Sequence, residues 1–183
     1  MSFSEKEKTL IDYLIKYYKS RINFLKDILY QKTPLSLRLI DWLVTNYSKK
    51  YNIIYPLQNS REIKHFNIYL DYKNQLKAYS KKFFDPFCRQ KRIVINPTTF
   101  NWKIYEENNT NGFIVTTVGQ LNFFKWFIEN KIYEYAISNI KLIDADMMNT
   151  MNSKNKDKRT VLSPSAVKGI YTTNSNITIK FLY

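Results

Sequence analysis

The residues that could do chemistry crowd into one stretch, "QLKAYSKKFFDPFCRQKRIVI", Gln75 to Ile95. It holds the one cysteine of the chain, Cys88. A nucleophilic thiolate needs a base and an electropositive setting. Arg89, Lys91 and Arg92 could supply the second. The single histidine, His65, falls on the helix expected before this stretch, and no glycine stands nearby to build an oxyanion hole. Cys88 is therefore expected as a buried packing residue, and His65 as an ordinary helix residue. Glu106, Glu107, Asp144 and Asp146 match no metal-cluster spacing, so neither an acidic nuclease centre nor a metal or other cofactor is expected. The chain is read as a non-enzyme.

What remains is charge. Lys73, Lys77 and Lys81 recur at i, i+4 and i+8, which stacks them on one helix face. With Lys82, Arg89, Lys91 and Arg92 they could form one continuous basic surface on a helix and the turn after it. Tyr69, Tyr72 and Tyr79 interleave with them. Ammonium and guanidinium groups fit phosphates, and aromatic rings can stack on bases. The competing reading is a solvated lysine face above core tyrosines. A second, weaker basic candidate is Lys154, Lys156, Lys158 and Arg159, in a polar stretch without periodicity that is expected as a loop.

The whole chain has 183 residues, 29 Lys and Arg against 15 Asp and Glu, and a formal net charge of +14. Such a balance suits a polyanionic partner. The abundance of Lys, Asn, Ile and Tyr also fits an AT-rich genome, which raises lysine without selection for binding. The distribution is uneven, however. Residues 61–92 hold nine basic against three acidic residues, while 93–150 hold four against six. Codon pressure alone would have charged both blocks. Only 3 glycines are present, which argues against a doubly wound nucleotide-binding fold. One cysteine excludes an internal disulfide. No segment has the run of apolar residues that a membrane span needs, and no signal-peptide layout opens the chain, so an intracellular compartment is expected.

The elements that must position these groups read as follows. Ser4 and Glu7 have capping-box spacing ahead of Leu10, Leu14, Ile22 and Leu25, giving a helix from about 4 to 30 with a break near 19–21. Thr33 and Pro34 read as the start of a second helix through Lys49 and Lys50. "YNIIYPLQNS" reads as a loop. A third helix is expected from Arg61 to Phe84, stopped by Asp85-Pro86. "KRIVIN", "TFNWKIYEE" and "GFIVTT" read as a small antiparallel meander. Thr116 or Thr117 then caps one long helix to about Met148, apolar on more than one face and so buried. "ITIKFLY" reads as a last strand. The fold class is α+β: long N-terminal helices, then the meander with one long helix packed on it. The domain division is 1–60, a helical unit, and 61–183, an α+β unit with a basic loop around 152–160.

Three stretches in this order, "SLRLIDWLVTNYSKK", "FNIYLDYKNQLKAYSKKFFDPFCRQKRI" and "TTVGQLNFFKWFIENKIYEY", with "KRTVLSPSAVKGI" downstream, resemble an uncharacterised protein family of nucleocytoplasmic large DNA viruses of the mimivirus and phycodnavirus kind. The resemblance covers most of the chain and carries no catalytic residue with it. It implies a viral protein made in host cytoplasm from an AT-rich genome and present in the virus factory or the virion. The expected function is association with DNA or RNA through the basic helix-and-turn surface, with low sequence specificity. The alternative is a structural or assembly protein of the virion, an internal or minor capsid component. It would meet other viral proteins through Trp42, Phe123, Phe124, Trp126 and Phe127, residue types enriched at protein interfaces.

Overall fold

In the computed structural model, residues 3–58, 63–107, 110 and 112–159 are described, the last six as backbone only. The α+β class holds. Helix α1 (Glu5–Tyr18) starts on the expected capping box, with the Ser4 N–H donating to the Glu7 carboxylate at 2.7 Å and the Glu7 N–H donating to the Ser4 hydroxyl at 3.3 Å. The expected break follows, and α2 runs Ile22–Leu29. Helix α3 (Leu37–Trp42) is capped by Ser36, whose hydroxyl accepts from the Leu39 N–H, rather than by Thr33. It continues through a π-helical turn, Leu43–Tyr47, into the short α4, Ser48–Lys50. Thr45 and Ser48 donate their hydroxyls back to the Asp41 and Val44 carbonyls in this segment, competing with the regular helical ladder.

Two further expectations change here. Residues expected as loop form β1 (Ile54–Gln58), and the first turns of the expected third helix form β2 (Ile63–Asn67), paired antiparallel from Ile54↔Asn67 to Gln58↔Ile63. The cause is Asn67. Its side chain accepts from the Leu70 N–H at 3.0 Å, so it caps α5 (Ile68–Phe83) and leaves the residues before it outside the helix. His65 is thus an exposed strand residue.

The second sheet contains β3 (Arg92–Ile95), β4 (Trp102–Ile104) and β5 (Ile114–Thr117). All pairs are antiparallel, but the order is β4-β3-β5, with the first strand in the middle instead of the consecutive order of a meander. Thr117 caps α6 (Val118–Glu129), accepting from the Gln120 N–H at 3.1 Å. The expected long helix is three: α6, α7 (Ile132–Ser138) and α8 (Ile140–Arg159). Asn130 and Asn139 each turn a side-chain amide back to the carbonyl four residues earlier, and Lys131 takes a left-handed conformation at φ 55°. Those three residues end one helix and start the next.

The core lies around α6. Phe123, Phe124 and Phe127 are fully buried, and α6 packs against α1, α5 and β5. Phe84 meets Phe123 at 5.2 Å and Trp126 at 5.3 Å between ring centroids. Each such ring removed from water contributes about 1.5–3 kcal/mol. The Tyr18 hydroxyl donates to the Leu121 carbonyl inside this core at 2.7 Å. Contact therefore runs across the expected division at residue 60, and one compact unit extends over Met1–Met147. A second unit begins at Met148. The expected basic loop at 152–160 is helical through residue 159, so the backbone of Lys154, Lys156, Lys158 and Arg159 belongs to α8. The expected strand "ITIKFLY" lies outside the described residues.

Candidate nucleic-acid interface

The expected basic surface divides into groups with different partners. On α5, Lys73, Lys77 and Lys81 are exposed and, among the described residues, form no ion pair. They do not form one unbroken stripe. Ser80 sits at φ 57°, ψ 169°, which breaks the helix between Lys77 and Lys81. Lys73 and Lys77 keep the i, i+4 relation, and Lys81 lies beyond the break, near enough to the half-buried Asp41 to act on its charge. Burial raises the pKa of Asp41, with Arg89 and Lys81 opposing that rise and Asp85 adding to it.

The acid of α5 faces the other way. Asp71 accepts from the Trp126 indole at 2.7 Å and from the Gln75 amide at 3.3 Å, so its charge is turned toward α6. The outward surface of this helix consequently presents cations. Tyr69, one turn before Lys73, is half-buried, and the Lys49 ammonium of α4 lies 5.7 Å from its ring centroid. Lys49, Tyr69, Lys73 and Lys77 make a track of three cations and one ring. From the sequence, Lys49 is expected only at a helix end. The signal that could have placed it here is long-range packing of α4 on α5, which no local pattern encodes. Tyr72, by contrast, is buried, and Tyr79 stacks on Phe84 with centroids 6.4 Å apart.

The other four cations are engaged within the chain. Arg89 clamps Asp85 with two hydrogen bonds, Nε to Oδ2 at 2.9 Å and a terminal nitrogen to Oδ1 at 2.7 Å. Asp85 itself is 4% exposed, and this pairing raises the pKa of Arg89 above its ordinary value. Lys82 pairs with Glu7 at 3.0 Å. Glu7 is held below the ordinary carboxylate value first by the Ser4 N–H and then by Lys82. The Lys91 ammonium sits 4.0 Å from the Phe3 ring centroid, and the Arg92 guanidinium 5.5 Å from that of Tyr105.

The corner that carries these cations is fastened to the core. Phe84, Asp85 and Pro86 are buried. Gln120 donates to the Pro86 carbonyl at 3.0 Å, Asn122 to the Phe83 carbonyl at 2.9 Å, and the Asp85 N–H to the Gly119 carbonyl at 3.2 Å. Cys88 is half-buried rather than fully buried, and burial pushes its thiol pKa up against the pull of Arg92. A thiol so placed is protonated at neutral pH, the opposite of an activated nucleophile. Among the described residues no group of His, Cys, Asp and Glu could hold a metal ion, and no helix is long and apolar enough to cross a membrane.

Comparison with known proteins gives a family and no activity. A model described as a family of unknown function, DUF7197, matches residues 1–180. An uncharacterized protein of Acanthamoeba polyphaga mimivirus is 38% identical over 160 residues, covering 86% of this chain and 59% of the relative. The chain thus spans under two thirds of the length of that relative. No solved structure matches.

Proposed function

We propose that this chain, which belongs to the DUF7197 family of unknown function and is similar to a mimivirus protein, binds nucleic acid through the exposed cations of α5, without reading sequence and without catalysing a reaction. The observation that carries this reading is the sorting of charge on one helix. Lys73 and Lys77 point out with no ion pair among the described residues, while Asp71 is turned in to Trp126. A solvated face with no polyanion to meet needs no such sorting, and surface acids normally intersperse with lysines. Phosphate contacts from lysines position a duplex or a strand and carry no base information, which is why low specificity is expected.

The alternative reading, virion assembly through aromatic interfaces, has lost most of its residues to the fold. Phe123, Phe124, Trp126 and Phe127 are buried within this chain. Trp42 is half-buried, with its indole spent on Asp146 at 3.0 Å. We propose host cytoplasm at the virus factory or the virion as its location, a reading that the viral origin of its relative supports.

A salt titration of DNA and RNA binding tests the reading. Affinity should fall linearly in log–log form, and replacing Lys73, Lys77 and Lys81 by Gln should flatten the slope by about 0.7–0.9 for each lysine that touches a phosphate. Negligible affinity at low salt, or an affinity indifferent to salt, would overturn it.

A further inference from the structure

The β1–β2 hairpin has one face turned into the chain and one turned out. Tyr55 and Phe66 stand opposite each other across the two strands and face inward. Tyr55 stacks on Tyr135 and donates its hydroxyl to the Asn130 carbonyl at 2.7 Å, and Phe66 meets Trp126. Strand alternation then puts Ile54, Pro56, Ile63 and His65 on the opposite face. All four are exposed, Ile54 at 50% and Ile63 at 68%. A sheet face open to water ordinarily carries polar side chains, and this one carries two isoleucines and a proline. The apolar surface continues onto α5. Asn67 stands opposite Ile54 in the ladder, and its side chain holds the Leu70 N–H at 3.0 Å. Leu70 is 60% exposed and heads the helix stripe that Lys73 and Lys77 continue at i+3 and i+7.

The chemistry beside this surface says what it meets. Lys49, Lys73 and Lys77 are exposed and pair with no acid among the described residues, and the acid of this part of α5, Asp71, is turned in to Trp126 at 2.7 Å. Protein interfaces are depleted in lysine and enriched in Tyr, Trp and Phe, whereas the outward residues here are aliphatic. Phosphates of a nucleic acid give an isoleucine nothing to bury against. Aliphatic side chains next to lysines match an anionic bilayer surface, where the first enter the boundary between headgroups and acyl chains and the second meet the charged headgroups. We propose that the outer face of the hairpin and the first turn of α5 rest on an anionic membrane surface, with Ile54, Ile63 and Leu70 in its apolar boundary and Lys49, Lys73 and Lys77 at the headgroups. The chain lies on the bilayer and does not span it. The proposal does not rest on the nucleic-acid reading, although Lys73 and Lys77 serve both.

Co-sedimentation of the full chain, freed of nucleic acid, with phosphatidylcholine vesicles that contain or lack phosphatidylserine tests this. One variant combines Ile54→Thr, Ile63→Thr and Leu70→Gln. Threonine keeps a strand-favouring side chain and glutamine a helix-favouring one, so the melting temperature should hold. A second variant is Lys73→Gln. The wild type should sediment with the phosphatidylserine vesicles and not with phosphatidylcholine alone. The triple variant should bind them on the order of 10-fold more weakly or less, Lys73→Gln about 5-fold more weakly, and the triple variant should bind an oligonucleotide as the wild type does. If the wild type sediments with neither vesicle, the membrane proposal falls and nucleic-acid binding is untouched. If the triple variant sediments as the wild type does, the lysines act alone and the proposal falls. If the triple variant loses the oligonucleotide at an unchanged melting temperature, the face belongs to the nucleic-acid interface and the proposal falls. If light scattering finds a wild-type dimer that the triple variant dissolves, a second copy covers the face and the proposal falls as well.

Discussion

Asp146 shows how far a residue's chemistry can differ from what its type suggests. By sequence it was one of four carboxylates imaginable as metal ligands, without a fitting spacing. In the fold it is a buried fastener. Its two oxygens accept from the Trp42 indole and the Tyr51 hydroxyl, both at 3.0 Å, and from the Lys50 ammonium. Burial pulls its pKa up, but the bonds from Lys50, Trp42 and Tyr51 outweigh burial and hold it below its ordinary value of 3.8. A folded pKa below the unfolded one means the unfolded chain binds the extra proton first. The stabilisation is then complete above the ordinary value and is lost as pH falls through the folded one. Asp146→Asn should cost about 1.5–3 kcal/mol at pH 7, the range for hydrogen bonds to a charged acceptor. The loss should shrink at pH 3, below the ordinary value, where the unfolded chain takes up the proton that the native carboxylate resists. Urea unfolding of both proteins at the two pH values measures this. An equal loss at both would mean that the charge of Asp146 contributes nothing.

At the scale of elements, the junction between α6 and the corner after α5 holds the turn that carries Lys82, Arg89, Lys91 and Arg92. Gly119 is its closest point. A Cβ there would meet the Lys82 carbonyl oxygen at 3.1 Å, the Phe84 nitrogen at 3.4 Å and the Asp85 nitrogen at 3.5 Å, all backbone atoms that cannot rotate aside. Gly119→Ala should destabilise by about 1–3 kcal/mol through overpacking. A thermal melt unchanged from wild type would show that the corner yields. The same junction explains what the sequence could and could not disclose. The capping box at Ser4, the strands around Ile93 and Ile114 and the buried character of α6 follow from local spacing, and all were legible. Asn67, Asn130 and Asn139 were legible in principle, because asparagine favours caps and helix ends. Their neighbours Ile63, Phe66 and Leu70 imitate a helical period and conceal the signal, although Ile63 and Leu70 are exposed, at 68% and 60%. The break at Ser80 has no local signal. "QLKAYSKKFF" reads as continuous helix, and the chain departs from it where Phe84 and Asp85 must pass beneath α6. Tertiary packing decides that turn, so the expected three-lysine stripe was the part of the candidate site least accessible from sequence.

Over the whole molecule, with a net charge of +14, the cations include some paired with acids of the fold and others that pair with no acid among the described residues. Arg89 and Lys77 are the clearest representatives of the two classes. Both are basic and exposed, and both belong to the stretch from Gln75 to Ile95. Arg89 forks onto Asp85, whose side chain is 5% exposed while that of Arg89 is 61% exposed. Removing it leaves a buried carboxylate with the Phe87 N–H at 3.3 Å as a remaining partner. Arg89→Gln should therefore cost about 1–3 kcal/mol of stability, less than the loss of a fully buried pair because water screens the guanidinium. Lys77 touches no acid among the described residues. Lys77→Gln should leave stability within about 0.5 kcal/mol of wild type and lower the salt slope of nucleic-acid binding by about 0.7–0.9. Equilibrium unfolding and a salt titration on the same two variants separate the classes. If Lys77→Gln unfolds the protein, its ammonium belongs to the fold after all. If Arg89→Gln alone flattens the salt slope at unchanged stability, the polyanion sits on the corner rather than on α5, and the interface must be redrawn around Arg89.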